Sequence, residues 1–391
     1  MNYILFDGPE RDHLLPLTFT RPVAELRTGI WTIKEKWEYY LGSTCSYLTQ
    51  DELSIKFPMV DLDQNILINA AFIPNENIVN QIKSLQEKQA LLYEDNIIAV
   101  YTHPEEEIEL EDFEIINYAE ELIHIQRPYD LFKYNHLTLQ QDFECITQGR
   151  TSQPIPEGTR VKNPENIFIE EGAVIDFAIL NASEGPIYIG KNAKIQEGVM
   201  VRGALALCDD SQLNMGAKIY GATTIGPHCK IGGEVNNSVI FGYSNKGHEG
   251  FMGNSVIGEW CNWGADTNNS NLKNDYSEVK LWNYATERFE KTGLQFCGLI
   301  MGDHSKAAIN TQFNTGTVVG ISCNIFQTGF PKNFIPDFTW GQNEEYKLPK
   351  VNAVAERVMM RRSIDFNSIE ERILEHIFET TAHLRKLFHK I

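Results

Sequence analysis

A six-residue repeat constrains this chain more than any other feature. Stepping by six from Ile189 reaches Ile195, Val201, Leu207, Leu213, Ile219, Ile225 and Ile231, eight aliphatic residues in succession. Four residues after each stand Ala193, Val199, Leu205, Ser211, Ala217, Thr223, Cys229 and Val235, all small or modest in size. Glycine often follows the first position, as at Gly190, Gly226 and Gly232. A period of six fits neither a 3.6-residue helix nor simple strand alternation. It suits a chain that makes a short strand, turns a corner and repeats. Three such faces close a triangular coil with the aliphatic residue pointing inward. The second inward position sits near a corner and must be small, while Gly, Asn or Asp supplies positive φ at the turn. The middle of the chain, from about Ile167 to Phe326, is therefore expected to be a hexapeptide-repeat parallel β-helix.

The phase breaks twice. Ile257 and Trp263 resume the pattern after a slip of two residues, with Cys261 and Thr267 in the small slots. Met301, Ala307, Phe313, Val319 and Ile325 resume it again, with Ser305, Thr311, Thr317 and Cys323 in the small slots. Two insertions are expected, around Gly242–Val256 and around Asn271–Leu299. Loops set into a rigid solenoid are where such proteins place function.

The flanks differ from the coil. In residues 1 to about 150, strand-like pieces (Tyr3–Phe6, Ile66–Asn69, Ile97–Tyr101) alternate with helical ones (Ile30–Tyr40, Glu76–Lys88), which predicts an α/β unit with a partly parallel sheet. The segment Gln153-Pro-Ile-Pro-Glu-Gly158 reads as a linker. The last forty or so residues read as helix, with a capping box at Ser368-Ile-Glu-Glu371 and an apolar stripe of Ile369, Ile373, Ile377, Leu384 and Leu387. The expected organisation is an α/β domain over 1–152, the coil over 153–340 and a helical cap over 341–391.

A formal net charge of −19 argues against nucleic acid or an anionic membrane surface as partner, and asks that any phosphorylated substrate meet local basic pockets. The densest acidic run, Glu105 to Asp112, reads as a solvated loop or edge. No apolar run has the length of a membrane span, and the start of the chain lacks the pattern of a signal peptide. Seven dispersed cysteines without metal-binding spacing fit reduced, buried thiols, so a cytoplasmic protein is expected.

The first break carries the residues that suit chemistry: Lys246-Gly-His248-Glu-Gly-Phe251, then Asn262 and Asn271 at 14 and 23 residues beyond His248. Acetyl transfer to an amine needs a neutral nucleophile, hence a base with a pKa near 7, and histidine is the natural choice. The tetrahedral oxyanion then needs a donor such as a backbone N–H of the next coil. These residues resemble the acetyltransferase half of the bifunctional UDP-N-acetylglucosamine pyrophosphorylase and glucosamine-1-phosphate N-acetyltransferase family, and archaeal sugar-nucleotide transferases of the same build. Their motif runs K-x-G-H-x-x-Y-x-G-D, then N-x-G-A-G-T, then a further asparagine. The resemblance gives His248 the place of the catalytic base and puts Asn262 and Asn271 in the sugar and acetyl pocket. It matches Lys280 to a lysine that closes the site in the archaeal forms, and places the acyl donor along the later coils near Ser305 and Lys306. Two positions depart from it. Phe251 stands where the family has tyrosine, and Asn236 where bacterial forms have lysine, so a hydrogen bond to the sugar phosphate is expected to be missing and the phosphate site weaker.

The N-terminal segment resembles a reduced sugar nucleotidyltransferase start. Asp7-Gly8-x-x-Arg11 is followed by Leu15-Pro-Leu-Thr-Phe-Thr-Arg21-Pro22, with one glycine left of the usual phosphate-cradling loop and Arg11 and Arg21 as candidate cations for a nucleotide. Ala71 in Ile66-Leu-Ile-Asn-Ala-Ala-Phe-Ile-Pro74 falls where the family has its Mg2+ aspartate, and alanine cannot ligate a metal; Asp61 and Asp63 are nearby but off register. The resemblance as a whole implies a sugar-nucleotide enzyme with a left-handed coil and a homotrimer. It implies acetyl-CoA and an amino-sugar 1-phosphate as substrates, and UTP or another nucleoside triphosphate for the first half. Two competitors stand beside it: a nucleotidyltransferase whose coil is only an oligomerisation rod, and a non-catalytic assembly protein.

Overall fold

The computed structural model describes residues 1–102 and 109–389. Residues 105–108 of the acidic run lie outside the described residues; its end, Leu110–Asp112, is an exposed single turn. Contacts divide the chain into two compact units. One comprises Met1–Leu14, Thr18–Leu26 and Trp31–Arg127, and the other comprises Leu15–Leu17, Arg27–Ile30 and Pro128–Ile391.

The first unit is the expected α/β fold. Strands β1 (Asn2–Phe6), β2 (Cys45–Leu48), β3 (Asn65–Asn69), β4 (Gln89–Tyr93), β5 (Asn96–Tyr101) and β6 (Glu114–Asn117) form one sheet in the order β2-β1-β3-β5-β4-β6. β1 runs parallel to β2 and β3, and β5 is antiparallel to β3 and β4. Strand β1 is a short apolar run whose Tyr3, Ile4 and Leu5 are all buried, as a central parallel strand covered on both faces should be. The helix Ile33–Leu41 starts on a capping box between Thr32 and Glu35 and stops at Gly42, where φ is 67°. Its Trp37 is fully buried, and the indole N–H donates to the Phe72 carbonyl at 3.0 Å.

The second unit is the coil. Its strands stack into three parallel ladders: one face from Arg160–Lys162 to Phe251–Gly253, a second from Ile167–Ile169 to Phe334–Ile335, and a third from Val174–Ile175 to Thr339–Trp340. On the second face Ile189 pairs with Leu207 and Leu207 with Ile225, each 18 residues on, which is three hexads per coil. The inward residues form one continuous apolar core, in which Cys229, Cys261 and Cys323 are buried members.

The two phase breaks have different origins. The segment 242–256 is not an inserted loop. Strands Val239–Ile240, Asn245–Lys246 and Phe251–Gly253 complete a full coil, but Ile225 pairs with Ile240 only 15 residues on, and Ile240 with Ile257 17 residues on. The corners have been shortened, so the phase slips by loss rather than by gain. The second break is a true insertion, and a hairpin of Lys280–Asn283 and Arg288–Lys291 leaves the coil before Leu299–Met301 resumes it.

The helix Asn135–Thr147 and the strap Arg27–Ile30 cover the second face. Small outward residues there, Ala204, Ala206 and Ala222, admit Ile30, Leu139 and Phe143. Asn135 ties the layers by accepting from the Gly29 N–H at 2.6 Å and donating to the Ala222 carbonyl at 2.9 Å. At the far end, Ser368–Thr380 and Ala382–His389 close the coil, with Phe378 and Phe388 set edge-on against Phe338 and Phe334. The helix cap is Asn367, one residue before the expected serine, since its carboxamide already accepts from the N–H groups of Ile369 and Glu370. Ile373, Ile377 and Leu384 are buried as expected, but the break at Thr381 turns Leu387 outward.

Burial pushes the Asp337 carboxyl up to about 6, although the Ile321 N–H and the Tyr284 hydroxyl both donate to it. A carboxyl raised in the folded state contributes most below its unfolded value and loses that contribution as pH rises to about 6. Asp337→Asn should therefore flatten the fall in stability between about pH 4 and 6. It should leave the variant up to about 3 kcal/mol more stable than wild type at pH 7, read by urea melts across that range.

Candidate functional site

Register on the third face builds a row of outward polar side chains. Lys230 pairs with Asn245, Asn245 with Asn262, and Asn262 with Lys306, one per coil. At the corner before each of these strands stands a residue in the left-handed region: His228 (φ 60°), Tyr243 (62°), Trp260 (59°) and His304 (60°). Their rings stack on one another at centroid spacings of 4.8, 4.2 and 6.2 Å. The stack offsets the strain of four non-glycine residues at positive φ and makes one wall of a groove.

The groove has a volume of about 770 Å3. Its floor is the row of Lys230, Asn245, Asn262 and Lys306, and its far wall is the opposite corner with Asn214, Gly247 and His248. Val358, Arg361 and Arg362, at the end of the helix Leu348–Met360, complete the lining. Arg362 donates to the His228 carbonyl at 3.0 Å, which anchors that helix end over the stack. Lys230, Lys306, Arg361 and Arg362 all line the groove, and no carboxylate does. In a chain of net charge −19, that is a local field selective for anions.

His248 is exposed in this groove, and its imidazole makes no hydrogen bond to the described residues. The Asn262 carboxamide is likewise exposed and unbonded among them. Lys306 is half-buried beside Asn262 and donates to the His304 carbonyl at 2.7 Å; burial lowers its ammonium to about 8. The structure thus gathers His248, Asn262 and Lys306.

Phe251 and Asn271 form a second patch around the corner from His248, on the first face. The Phe251 N–H donates to Asn268 Oδ1 at 2.7 Å, and Asn271 Nδ2 donates to Asn254 Oδ1 at 2.8 Å. Both crowd Gly253, where a Cβ would lie 2.6 Å from Asn271 Nδ2 and 2.6 Å from the Phe251 ring. Neither lines the groove, and neither does Lys280, which is exposed at the start of the inserted hairpin. Ser305 differs from the expectation outright. Its hydroxyl is fully buried, donates to the Gly320 carbonyl at 2.7 Å and accepts from the Cys323 N–H at 3.0 Å, so it ties coils together and has nothing left for a ligand.

The sequence reading missed Asn214, Tyr243, Trp260, Arg361 and Arg362. The 15- to 18-residue spacing of His228, Tyr243 and Trp260 does carry a signal for the stack, since one corner recurs each coil. The two arginines come from a distant helix and have no local signature.

In the α/β unit, the strand order reverses beside β1, and the crevice at the carboxyl ends of β1 and β3 is where open sheets of this kind bind ligands. Here the crevice is occupied by the chain's own side chains. Glu10 is buried; it accepts from Asn69 Nδ2 at 3.3 Å and meets His124 Nε2 at 2.6 Å. Burial works to raise the Glu10 carboxyl, but the His124 and Asn69 bonds hold it below its ordinary value. His124 in turn stacks on Phe72 at 4.1 Å. Asp7 accepts from the Val23 N–H at 2.7 Å and the Thr49 hydroxyl at 2.6 Å, with Arg11 Nε at 3.6 Å.

Arg11 and Arg21, the expected nucleotide cations, are both buried. The Arg11 guanidinium donates to the Thr18 carbonyl at 3.1 Å, so it holds the loop rather than facing a ligand. Ala71 is buried after β3, and among the described residues no group of three or more His, Cys, Asp or Glu could hold a metal ion. The side chains at this position do not fit Mg2+, and no step is routed through it.

Residues 3–151 match the sugar nucleotidyl transferase family model. The chain is 38% identical over 90 residues to the bifunctional protein GlmU of Methanocaldococcus jannaschii, covering 23% of this chain and 21% of that one. It is 29% identical over 145 residues to the bifunctional sugar-1-phosphate nucleotidylyltransferase/acetyltransferase of Sulfurisphaera tokodaii, covering 37% and 36%. It is 23% identical over 226 residues to the bifunctional protein GlmU of Synechococcus elongatus, covering 52% and 45%. The matched segments span less than half the length of each of these relatives. Among solved structures, the UDP-N-acetylglucosamine acyltransferase of Francisella novicida pairs with 57% of this chain and 87% of its own at 11% identity, but the TM-score of 0.20 is too low to carry weight. The chain is thus similar to the sugar nucleotidyl transferase family over residues 3–151, and over as much as 52% of its length to bifunctional nucleotidyltransferase/acetyltransferase proteins.

Proposed function

We propose that the coil transfers an acetyl group from acetyl-CoA to the amine of an amino-sugar 1-phosphate of the glucosamine type, with His248 as general base. The observation that carries this reading is the pairing of two unbonded polar side chains, His248 and Asn262, with a groove lined by four cations and no carboxylate. Both proposed substrates are anionic and suit that lining. His248 takes the proton from the ammonium group, the neutral nitrogen attacks the thioester carbonyl, the C–N bond forms, and the C–S bond breaks to release CoA. Asn262 orients the acetyl or sugar group from the neighbouring coil, while Phe251 and Asn271 form the adjoining wall. The likeness to bifunctional proteins supports a further role for the α/β unit, nucleotidyl transfer from UTP or a similar nucleotide to the acetylated sugar 1-phosphate. Trimer formation is part of the same reading; exposed Phe177, Ile179, Met200 and Met215 on and beside the first face support a contact between copies.

Purified protein with acetyl-CoA and glucosamine 1-phosphate should release CoA thiol well above the rate without acceptor; equal rates with and without acceptor would refute the reading. The state of Lys306 adds a pH signature. Its ammonium, lowered by burial to about 8, is charged at pH 7 and largely neutral at pH 9. Affinity for acetyl-CoA should therefore fall several-fold between those pH values. In Lys306→Met it should be weaker at pH 7 and change less with pH, as measured by calorimetric titration.

A further inference from the structure

The inward column of the third face is built from Ile175, Ile195, Leu213, Ile231, Trp263, Ala307 and Ile325, with one exception: the register puts Lys246 in the column, directly after Ile231. Lys246 is 2% exposed. A buried ammonium in an apolar stack costs several kcal/mol in desolvation, and an apolar residue of similar volume there is commonly neutral or stabilising. The coil therefore does not require this lysine for its own stability.

Its contacts point to another role. Nζ donates to the Gly232 carbonyl at 2.9 Å and to the His248 carbonyl at 3.0 Å. Room for it comes from one shortened corner. Ile231 to Glu234 spans 3 residues, whereas the equivalent spans Leu213 to Lys218 and Lys246 to Phe251 each take 5. The shortening leaves a notch under the His248 corner, and Gly233 (φ 70°) keeps it open. A Cβ there would stand 2.7 Å from Lys246 Nζ and 2.8 Å from the His248 carbonyl oxygen. Asn214 crosses the notch from the preceding coil and donates to the Gly247 carbonyl at 2.7 Å. The two consecutive carbonyls of Gly247 and His248 are thus both held, while the imidazole stays unbonded in the groove.

We infer that Lys246 is the positioning residue of the site: from inside the coil, it fixes the backbone of His248 so that the imidazole is presented to the acceptor amine. This inference rests on the reading of His248 as the base. At neutral pH the ammonium form persists, since burial lowers it only to about 8. A displaced base costs rate out of proportion to the displacement, on the order of 10²-fold for about 1 Å.

The test compares Lys246→Met, His248→Ala and the double variant with wild type. Lys246→Met should keep or raise the melting temperature and leave both KM values within about twofold. Its kcat should fall about 10- to 100-fold, and in the His248→Ala background it should cause no further loss. Lys246→Ile, which restores the aliphatic column, should show the same split if methionine packs poorly. Full kcat in both lysine variants while His248→Ala is inactive would overturn the inference and leave the role of His248 standing. A fall in kcat that tracks a fall in melting temperature, or losses that multiply in the double variant, would also overturn it. Unchanged kcat in His248→Ala would remove both claims.

Discussion

His248→Ala should lower kcat for acetyl transfer about 10²- to 10⁴-fold, with little change in either KM or in melting temperature. The size of the effect follows from the reaction, since an ammonium group cannot attack a thioester and a positioned base supplies the neutral amine. The specificity of the effect follows from the structure. The imidazole is exposed and bonded to none of the described residues, so its removal leaves no buried group unsatisfied and no cavity. The corner itself is held by its carbonyls, through Lys246 and Asn214, and survives the substitution. Stopped-flow detection of CoA thiol beside a thermal melt separates the two readouts. A variant that loses activity only in proportion to its stability would place His248 in the scaffold.

The largest expected loss of stability is at Trp263. This indole lies in the same inward column, after Lys246 and before the small Ala307, and packs on Phe313 at a ring-centroid distance of 5.8 Å. It is 2% exposed, and its N–H has no partner in the structure, so its contribution is almost wholly burial and dispersion. Trp263→Ala should cost about 3–5 kcal/mol, because the rigid stack cannot collapse around the space left. For a unit of this size, that is a drop of roughly 10 °C in melting temperature. Acetyl transfer should weaken as well, since Asn262 precedes the indole in the same two-residue strand. A change below about 1 kcal/mol by urea melts would mean that the column is not packed as described.

The coil was legible in the sequence because each turn must bury one aliphatic side chain per face, and that demand leaves a strict period. The nature of the first break was not legible. Corners that lose residues shift the phase just as an insertion does, and the direction appears only when Ile225 is seen to pair with Ile240. Lys246 was hidden for a related reason: an inward lysine looks like the end of the pattern rather than a member of it. His248 and Asn262 stood out because they are polar residues at a phase break, and both reach the groove. Phe251 and Asn271 have the right spacing but turn the corner onto another face, which linear distance does not reveal. Arg11 and Arg21 show the opposite limit. Residue type marked them as cations for a phosphate, yet both are buried, and Arg11 holds its own loop. The groove's Arg361 and Arg362 arrive by tertiary packing alone.

The most direct test of the central claim is the identity of the product. Wild-type protein is incubated with acetyl-CoA, glucosamine 1-phosphate and UTP, and the sugar species are resolved by mass spectrometry, with His248→Ala run in parallel. The account predicts an N-acetylated sugar phosphate, free or as its nucleotide, from the wild type and almost none from the variant. A nucleotide sugar that keeps its free amine, or equal acetylation by both proteins, would contradict it.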